Sequence, residues 1–501
     1  MSELTRRTLL NLVTGTGKTV GILALTFFST PLLLRLIGAS DFGTFKVLFE
    51  VLTYLNLLEM GVYGSLISAL LPAIQRNDAA EIQALLREGL RKYLWVILFA
   101  TAVGLGLMPF LTYFTSWEQD STRPLFVTFG IMLLNSLFIP THTFRAYLEA
   151  SNRGYVAHLI VWFQNTLFIL ASLSFAALGF KLEAQALGLV LSGCVAMILM
   201  AKASGVKVPI SFRRSEEHAA KISANQRSQV LNELAGKVSF HCDNLLIAVF
   251  AGPVTVTKVF LGQRVVQILQ GQLTGLGQAA WASLSSLYYS DAGGEAFKLR
   301  FLEMTKVLVV MAVILLVPVC ILNESFLRLW VGEEHMLPGN TLVYVAAVNA
   351  LFFPLFGFFS FIFTVLGKPK EITRIEWAQA LVNISASLAL TSYLGGVGPI
   401  AGTLVSFLVV SLVRYPWLIQ RHFGISSLAL YRTILAPALA GIGTVFCWDR
   451  FAVSLPITDW ASFFLCAAGV GGASAAVFYL LLFTRAEKEL FRSRLSKVLR
   501  R

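Results

Sequence analysis

The sequence predicts an all-α integral membrane protein of about fourteen transmembrane helices, and three observations carry that prediction. The 501 residues are 56% apolar and only 13% charged, with a mean hydropathy of +0.73. The apolar residues fall into runs of about 20 or more, the length that crosses roughly 30 Å of hydrocarbon. The basic residues crowd into every second connection between those runs. A chain so poor in charge has the bilayer as its solvent. Period-2 alternation is absent, so helices are what satisfies the buried backbone.

In chain order the expected spans lie near 10–37, 43–72, 92–114, 124–147, 155–180, 184–204, 228–251, 254–287, 306–330, 340–366, 373–394, 398–420, 433–449 and 460–484. A net charge of +13 could suggest nucleic acid, but the positions of the charges exclude it. Of 40 Lys and Arg, 30 occupy the N-terminus, the tail and alternate connections, while the opposite loops hold five: Arg35, Arg123, Lys181, Arg328 and Arg450. The positive-inside rule then predicts an even number of spans with both termini cytoplasmic. Arg6 and Arg7 before an apolar run imitate a signal peptide, but the run is long and lacks a small-residue cleavage site, so the first helix is expected to stay attached. Cys194, Cys242, Cys320, Cys447 and Cys466 fall in separate spans without metal spacing, and are read as packing residues.

The long polar segment in the middle divides the chain. Residues 1–204 form an N-terminal lobe of six helices, 205–227 a basic cytoplasmic linker, and 228–420 a second six-helix lobe; 421–501 add helices 13 and 14 and a basic tail. Leu10-Asn11 followed by Gly17-Lys18 has an echo in Leu231-Asn232 followed by Gly236-Lys237. Two six-helix lobes in one orientation would form a parallel pseudo-repeat with a cavity between them.

Charge at membrane depth is costly and marks function or pairing. The cations that qualify are Lys18, Lys46, Lys237, Lys258 and Arg264. Lys18 and Lys237 lie about 13 Å into their helices, and Arg264 about 18 Å past the turn at Gly252, at 1.5 Å per residue. Cations on one cavity suit a pyrophosphate, which Arg can engage bidentately. Lys46 has Glu50 one helical turn on, and pairing is its expected role; Lys258 is near enough to the outer surface to snorkel.

On the seventh span Glu233, Lys237, His241 and Asn244 share one helix face, with Asp243 beside it. Asp243 and Glu233 are candidates for ion coupling, and Asn244 and His241 for polar lining. Gln263 and Gln267 flank Arg264 and suit sugar hydroxyls, though such residues also join helices. Glu59, Asn135, His142, His158, Asn165 and Glu376 read as isolated groups used in packing.

Two motifs are decoys. Gly15-Thr16-Gly17-Lys18-Thr19 ends like a phosphate-binding loop but has Leu12 where the first Gly belongs, and no strand precedes it. Asn383-Ile384-Ser385 fits a glycosylation acceptor but lies inside a span. No catalytic triad, paired carboxylates or metal cluster stands out, and outer loops of about ten residues cannot fold into a catalytic domain. This argues against a membrane glycosyltransferase, ligase or polymerase, and no cofactor or metal is expected.

Several local patterns are similar to one family. Leu36-Ile37-Gly38-Ala39-Ser40-Asp41-Phe42-Gly43-Thr44-Phe45 resembles its turn from first to second helix, and Leu58-Glu59-Met60-Gly61-Val62 its second-helix motif, with Glu59 where Asp is more usual. Arg145-Ala146-Tyr147-Leu148-Glu149-Ala150-Ser151-Asn152-Arg153 resembles its loop after the fourth helix, and Asp243-Asn244-Leu245-Leu246 its seventh-helix acidic motif. The chain thus resembles the polysaccharide-transport branch, the Wzx-type flippases, of the multidrug/oligosaccharidyl-lipid/polysaccharide exporter superfamily. The resemblance implies a two-lobed carrier of an undecaprenyl-pyrophosphate-linked oligosaccharide, working beside a polymerase and other polysaccharide-assembly proteins. Rival readings are an ion-coupled multidrug exporter, a peptidoglycan-precursor flippase, and a membrane enzyme or scaffold of the same pathway.

Overall fold

The computed structural model describes residues 3–56, 59, 61–114, 122–206, 216–223, 243–279, 281–290, 294–332, 336–367, 369–451 and 457–482. All regular structure among them is helical, and ten helical segments are long and apolar enough to cross a bilayer. Those ten hold eleven of the expected spans, because the eleventh and twelfth run on as one stretch, Lys370–Phe423. The other three fail for a chemical reason or lie partly outside the described residues. The helix Ala39–Asn56 carries Asp41, Lys46 and Glu50, and Pro253–Ala279, though 27 residues long, is diluted by Thr, Gly and Gln. Most of the seventh expected span precedes the first described residue of its helix, Asp243.

The chain forms two compact units, residues 1–257 and 258–501. In the first unit the helices are α1 (Glu3–Ile37), α2 (Ala39–Asn56), α3 (Val62–Gln75), α4 (Ala79–Phe114), α5 (Thr122–Leu134), α6 (Thr141–Ala150), α7 (Gly154–Ala177), α8 (Glu183–Ser204), α9 (Glu216–Ser223) and α10 (Asp243–Ala251). Two expected spans are broken. The second splits into α2 and α3, with Gly61 at φ 65°, a left-handed conformation that glycine adopts without strain. The fourth breaks at a 3-10 turn, Asn135–Phe138, and at Pro140, which has no N–H to continue the helix.

Small residues let these helices approach. A Cβ on Gly21 would stand 2.5 Å from the indole nitrogen of Trp162, so α1 lies directly on α7. Beneath them Phe45, Leu48, Leu52, Phe129 and Met132 fill one apolar core. The faces turned outward are just as apolar: Trp95 is 61% exposed and Leu170 54%. Such a surface has lipid as its partner.

The second unit holds most of α11 (Pro253–Ala279), then α12 (Trp281–Ser290), α13 (Glu295–Val331), α14 (Asn340–Val365), α15 (Pro369–Leu394), α16 (Gly398–Ser406), α17 (Leu412–Phe423), α18 (Ser427–Phe451) and α19 (Trp460–Leu482). A wide helical turn, Phe407–Ser411, joins α16 to α17. The sharp turn Gly395–Val397 folds α16 back onto α15, where a Cβ on Gly402 would meet the Ser387 hydroxyl at 2.2 Å. Gly398 and Gly402, four residues apart, form the small-residue contact that membrane helices use to pack closely. Asn383, the decoy acceptor, is buried in that contact and takes a hydrogen bond from Ser387. Of the cysteines, Cys194 and Cys447 are exposed on helix faces rather than packed, which corrects the packing role expected of them. Cys242 lies outside the described residues.

Candidate functional site

The first unit encloses a polar pocket of about 150 Å³, lined by Glu59, Asn135, Thr141, His142, Arg145 and Gln164 with apolar neighbours. Its walls come from the α2–α3 break, the start of α6, and α7 and α8. Both helix interruptions therefore border this pocket. The Tyr93 hydroxyl, fully buried on α4, donates to Glu59 Oε1 at 2.7 Å. His142 Nδ1 stands 3.2 Å from the other carboxylate oxygen. The Thr141 hydroxyl is buried and, among the described residues, has no hydrogen-bond partner.

Arg145 extends the polar network towards α1. Its Nε donates to Glu149 Oε1 at 2.9 Å, and its guanidinium lies 5.3 Å from the centre of the Tyr63 ring. Lys18, half-buried on α1, is in the electrostatic field of Arg145 and Glu149, as is His158 of α7. Thr14 and His158 Nδ1 are 3.3 Å apart, and Gly15 leaves room for that ring. Residues 15–19 are continuous helix, so the apparent phosphate loop is a stretch of α1. The arrangement offers hydrogen-bond donors and acceptors, a carboxylate–imidazole pair and two cations, a combination suited to a polar, charged ligand.

A second cluster joins α2 to α10. Asn244 donates to the buried Glu50 carboxylate through its side chain and backbone, and the Asp243 carboxylate is close enough to act on it. Among the described residues Glu50 Oε2 has no hydrogen-bond partner. Lys46 lies 4.9 Å over the Phe42 ring. The chain start of α11 seats against α2 here: Thr257 donates to the Ala39 carbonyl at 2.7 Å, and a Cβ on Gly43 would fall 1.9 Å from the Pro253 carbonyl oxygen.

In the second unit Arg264 is half-buried on α11, its guanidinium 5.5 Å from the Phe260 ring centre. Among the described residues it has no carboxylate partner. Gln267 donates to Gln263 at 3.1 Å, one turn away on the same helix. Lys258 is half-buried near the start of α11. Glu376 is held by the Ser360 hydroxyl at 3.1 Å. An apolar cavity of about 320 Å³ lies among α13, α14, α16 and α18, and offers a phosphate nothing to bind. Glu233, Lys237 and His241 lie outside the described residues.

Three groups read as isolated in the sequence, Glu59, Asn135 and His142, thus share one pocket. Glu59 and His142 are 83 residues apart, so no helical spacing links them. The signal available was the place of Glu59 in the motif at residues 58–62 and of Arg145 in the motif at residues 145–153; Asn135 and His142 lie in no such pattern.

A model of the family described as polysaccharide biosynthesis protein matches residues 12–286, more than half of the chain. No curated protein matches in sequence. Among solved structures, the lipid II flippase MurJ in an inward closed conformation is similar, with a TM-score of 0.71 and 12% identity over 93% of this chain and 99% of that one. An inward-facing multidrug resistance MATE family transporter of the MOP superfamily gives a TM-score of 0.64 at 14% identity, over 86% of this chain and 96% of that one. An outward-facing conformation of such a transporter gives 0.54 at 15% identity, over 84% and 96%. At these identities the likeness is one of fold.

Proposed function

The chain belongs to the polysaccharide biosynthesis protein family, within the superfamily its sequence resembles, and from that premise we propose that it is a flippase. In this reading it carries a polyprenyl-pyrophosphate-linked oligosaccharide from the cytoplasmic to the outer leaflet by alternating access. It sits in a bacterial inner membrane with both termini cytoplasmic, beside the enzymes that polymerise its cargo.

The observation that carries the proposal is Arg264. Placing an arginine near mid-bilayer costs about 2.5–3.5 kcal/mol on an insertion scale, so such a charge pairs or faces a polar path. No carboxylate offsets it among the described residues. An anion brought by the cargo would, and a guanidinium engages phosphate oxygens in two parallel hydrogen bonds. Lys18 and Lys237 are the other cations proposed to contact pyrophosphate, with Gln263, Gln267, Asn244 and His241 near the sugars. The polyprenyl tail stays in lipid. Binding energy alone gives no net direction, so export draws on an ion gradient, the membrane potential or removal of product.

The test is translocation of labelled lipid-linked oligosaccharide in vesicles. Arg264→Ala should lower the rate about 10- to 100-fold, the loss of a hydrogen bond to charge worth about 1.5–3 kcal/mol. Arg264→Lys should recover part of it, since a point charge replaces the fork. Wild-type rates in Arg264→Ala, Lys18→Ala and Lys237→Ala alike would sink the assignment.

A second reading, an ion-coupled multidrug exporter, is favoured by Glu50 and Asp243, since neighbouring carboxyls can hold a cation. Asp243→Asn would then abolish drug efflux while Arg264→Ala would not. Rescue of a strain lacking peptidoglycan-precursor export would favour that cargo instead. Turnover of lipid-linked sugar without translocation would favour an enzyme.

A further inference from the structure

We infer that the pocket between α15 and α17 binds the phosphate headgroup of an anionic membrane lipid, at a place separate from the transported cargo. The pocket, about 450 Å³, brings together Arg374 from α15 and Arg414 and Arg421 from α17. Glu371 lines it too, so the four charged groups leave two positive charges in excess. Among the described residues none of the three arginines makes an ion pair; Arg421 alone has a ring contact, 5.3 Å over Trp417. Three unpaired guanidiniums around one hollow repel one another, and an anion in the hollow removes that repulsion.

The place of the pocket selects a lipid over a dissolved ion. The chain turns back at Gly395–Val397, so the start of α15 and the end of α17 lie at the same end of that pair. By the positive-inside pattern it is the cytoplasmic end, where lipid headgroups are anionic. Trp417 and Val413, 49% and 54% exposed, present apolar surface beside the arginines. That combination matches a headgroup with the acyl chains it carries, whereas a free phosphate would leave the apolar surface unused. An indole at this level is also the side chain that interfaces favour.

The test uses the full chain purified in detergent. Phosphatidylglycerol, phosphatidylcholine or inorganic phosphate is added separately, and bound molecules are counted by native mass spectrometry. Retention of phosphatidylglycerol should exceed that of phosphatidylcholine. It should fall about a hundredfold in the triple variant Arg374→Gln, Arg414→Gln, Arg421→Gln, and about fivefold in each single one. Arg432→Gln, a basic residue of α18 outside the pocket, should leave retention unchanged. The single variants decide the matter if the triple one does not fold. Equal retention by wild type and the single variants would overturn the inference, and so would a response to inorganic phosphate without one to the lipid.

Discussion

The fully buried Tyr93 hydroxyl meets the Glu59 carboxylate at 2.7 Å, and has no water to turn to if that partner is lost. Tyr93→Phe should therefore cost about 1.5 kcal/mol of stability, the net worth of such a bond, read as a lowered thermal unfolding midpoint. Glu59→Gln keeps the shape and one acceptor, and should cost less. At this scale the sequence is uneven as a guide. A charge such as Arg264 or Lys18 stands out in any apolar run, because its cost there is intrinsic to the residue. The Glu59–His142 pair stands out in none, because what matters is who the neighbours are. Glu50 makes the same point: its i+4 spacing suggested Lys46, and its hydrogen bonds come from Asn244 on another helix.

Among elements, the junction of α2 and α11 depends on an absent side chain. Gly43→Ala would push a methyl group into the Pro253 carbonyl, 1.9 Å away, and the helices would have to part. We expect a loss of about 1–3 kcal/mol, as for other overpacked contacts, measured by the unfolding midpoint. The linker helix α9 shows a different balance. Ile222, fully buried, and Ala219 seat it on α3 and α4, while Lys221 joins Glu81 and Glu217 in exposed ion pairs at 2.8 and 2.9 Å. Exposed pairs add little, so the apolar contact holds the helix and the charges set its register. The hydrogen bonds to Glu81 and Glu217 raise the Lys221 pKa. A raised folded value means that this contribution is complete below the ordinary lysine range and is lost as pH rises through the raised value. Ile222→Ala should therefore loosen α9 and speed its backbone amide exchange with solvent, whereas Lys221→Gln should change that exchange little. Helix identity was legible in the apolar runs. The breaks at Gly61 and Pro140 were not, since both residues also occur inside membrane helices without breaking them.

For the whole molecule the firmest expectation is sidedness. A cysteine placed at Arg214 in the basic linker should react with an impermeant maleimide only after the cells are opened, and one at Lys181 should react in intact cells. The reverse result would overturn the charge-based topology. Composition, apolar run length and the distribution of basic residues determined by themselves that this is a multi-pass helical membrane protein, because the bilayer taxes each residue one at a time, whatever its neighbours. Only the tertiary structure decided that Glu59, His142, Tyr93 and Arg145 form one polar network, and that Arg374, Arg414 and Arg421 share one hollow. Those groupings arise from helix breaks and from the approach of one small-residue face to another, contacts between residues far apart in the chain, and no local pattern encodes them.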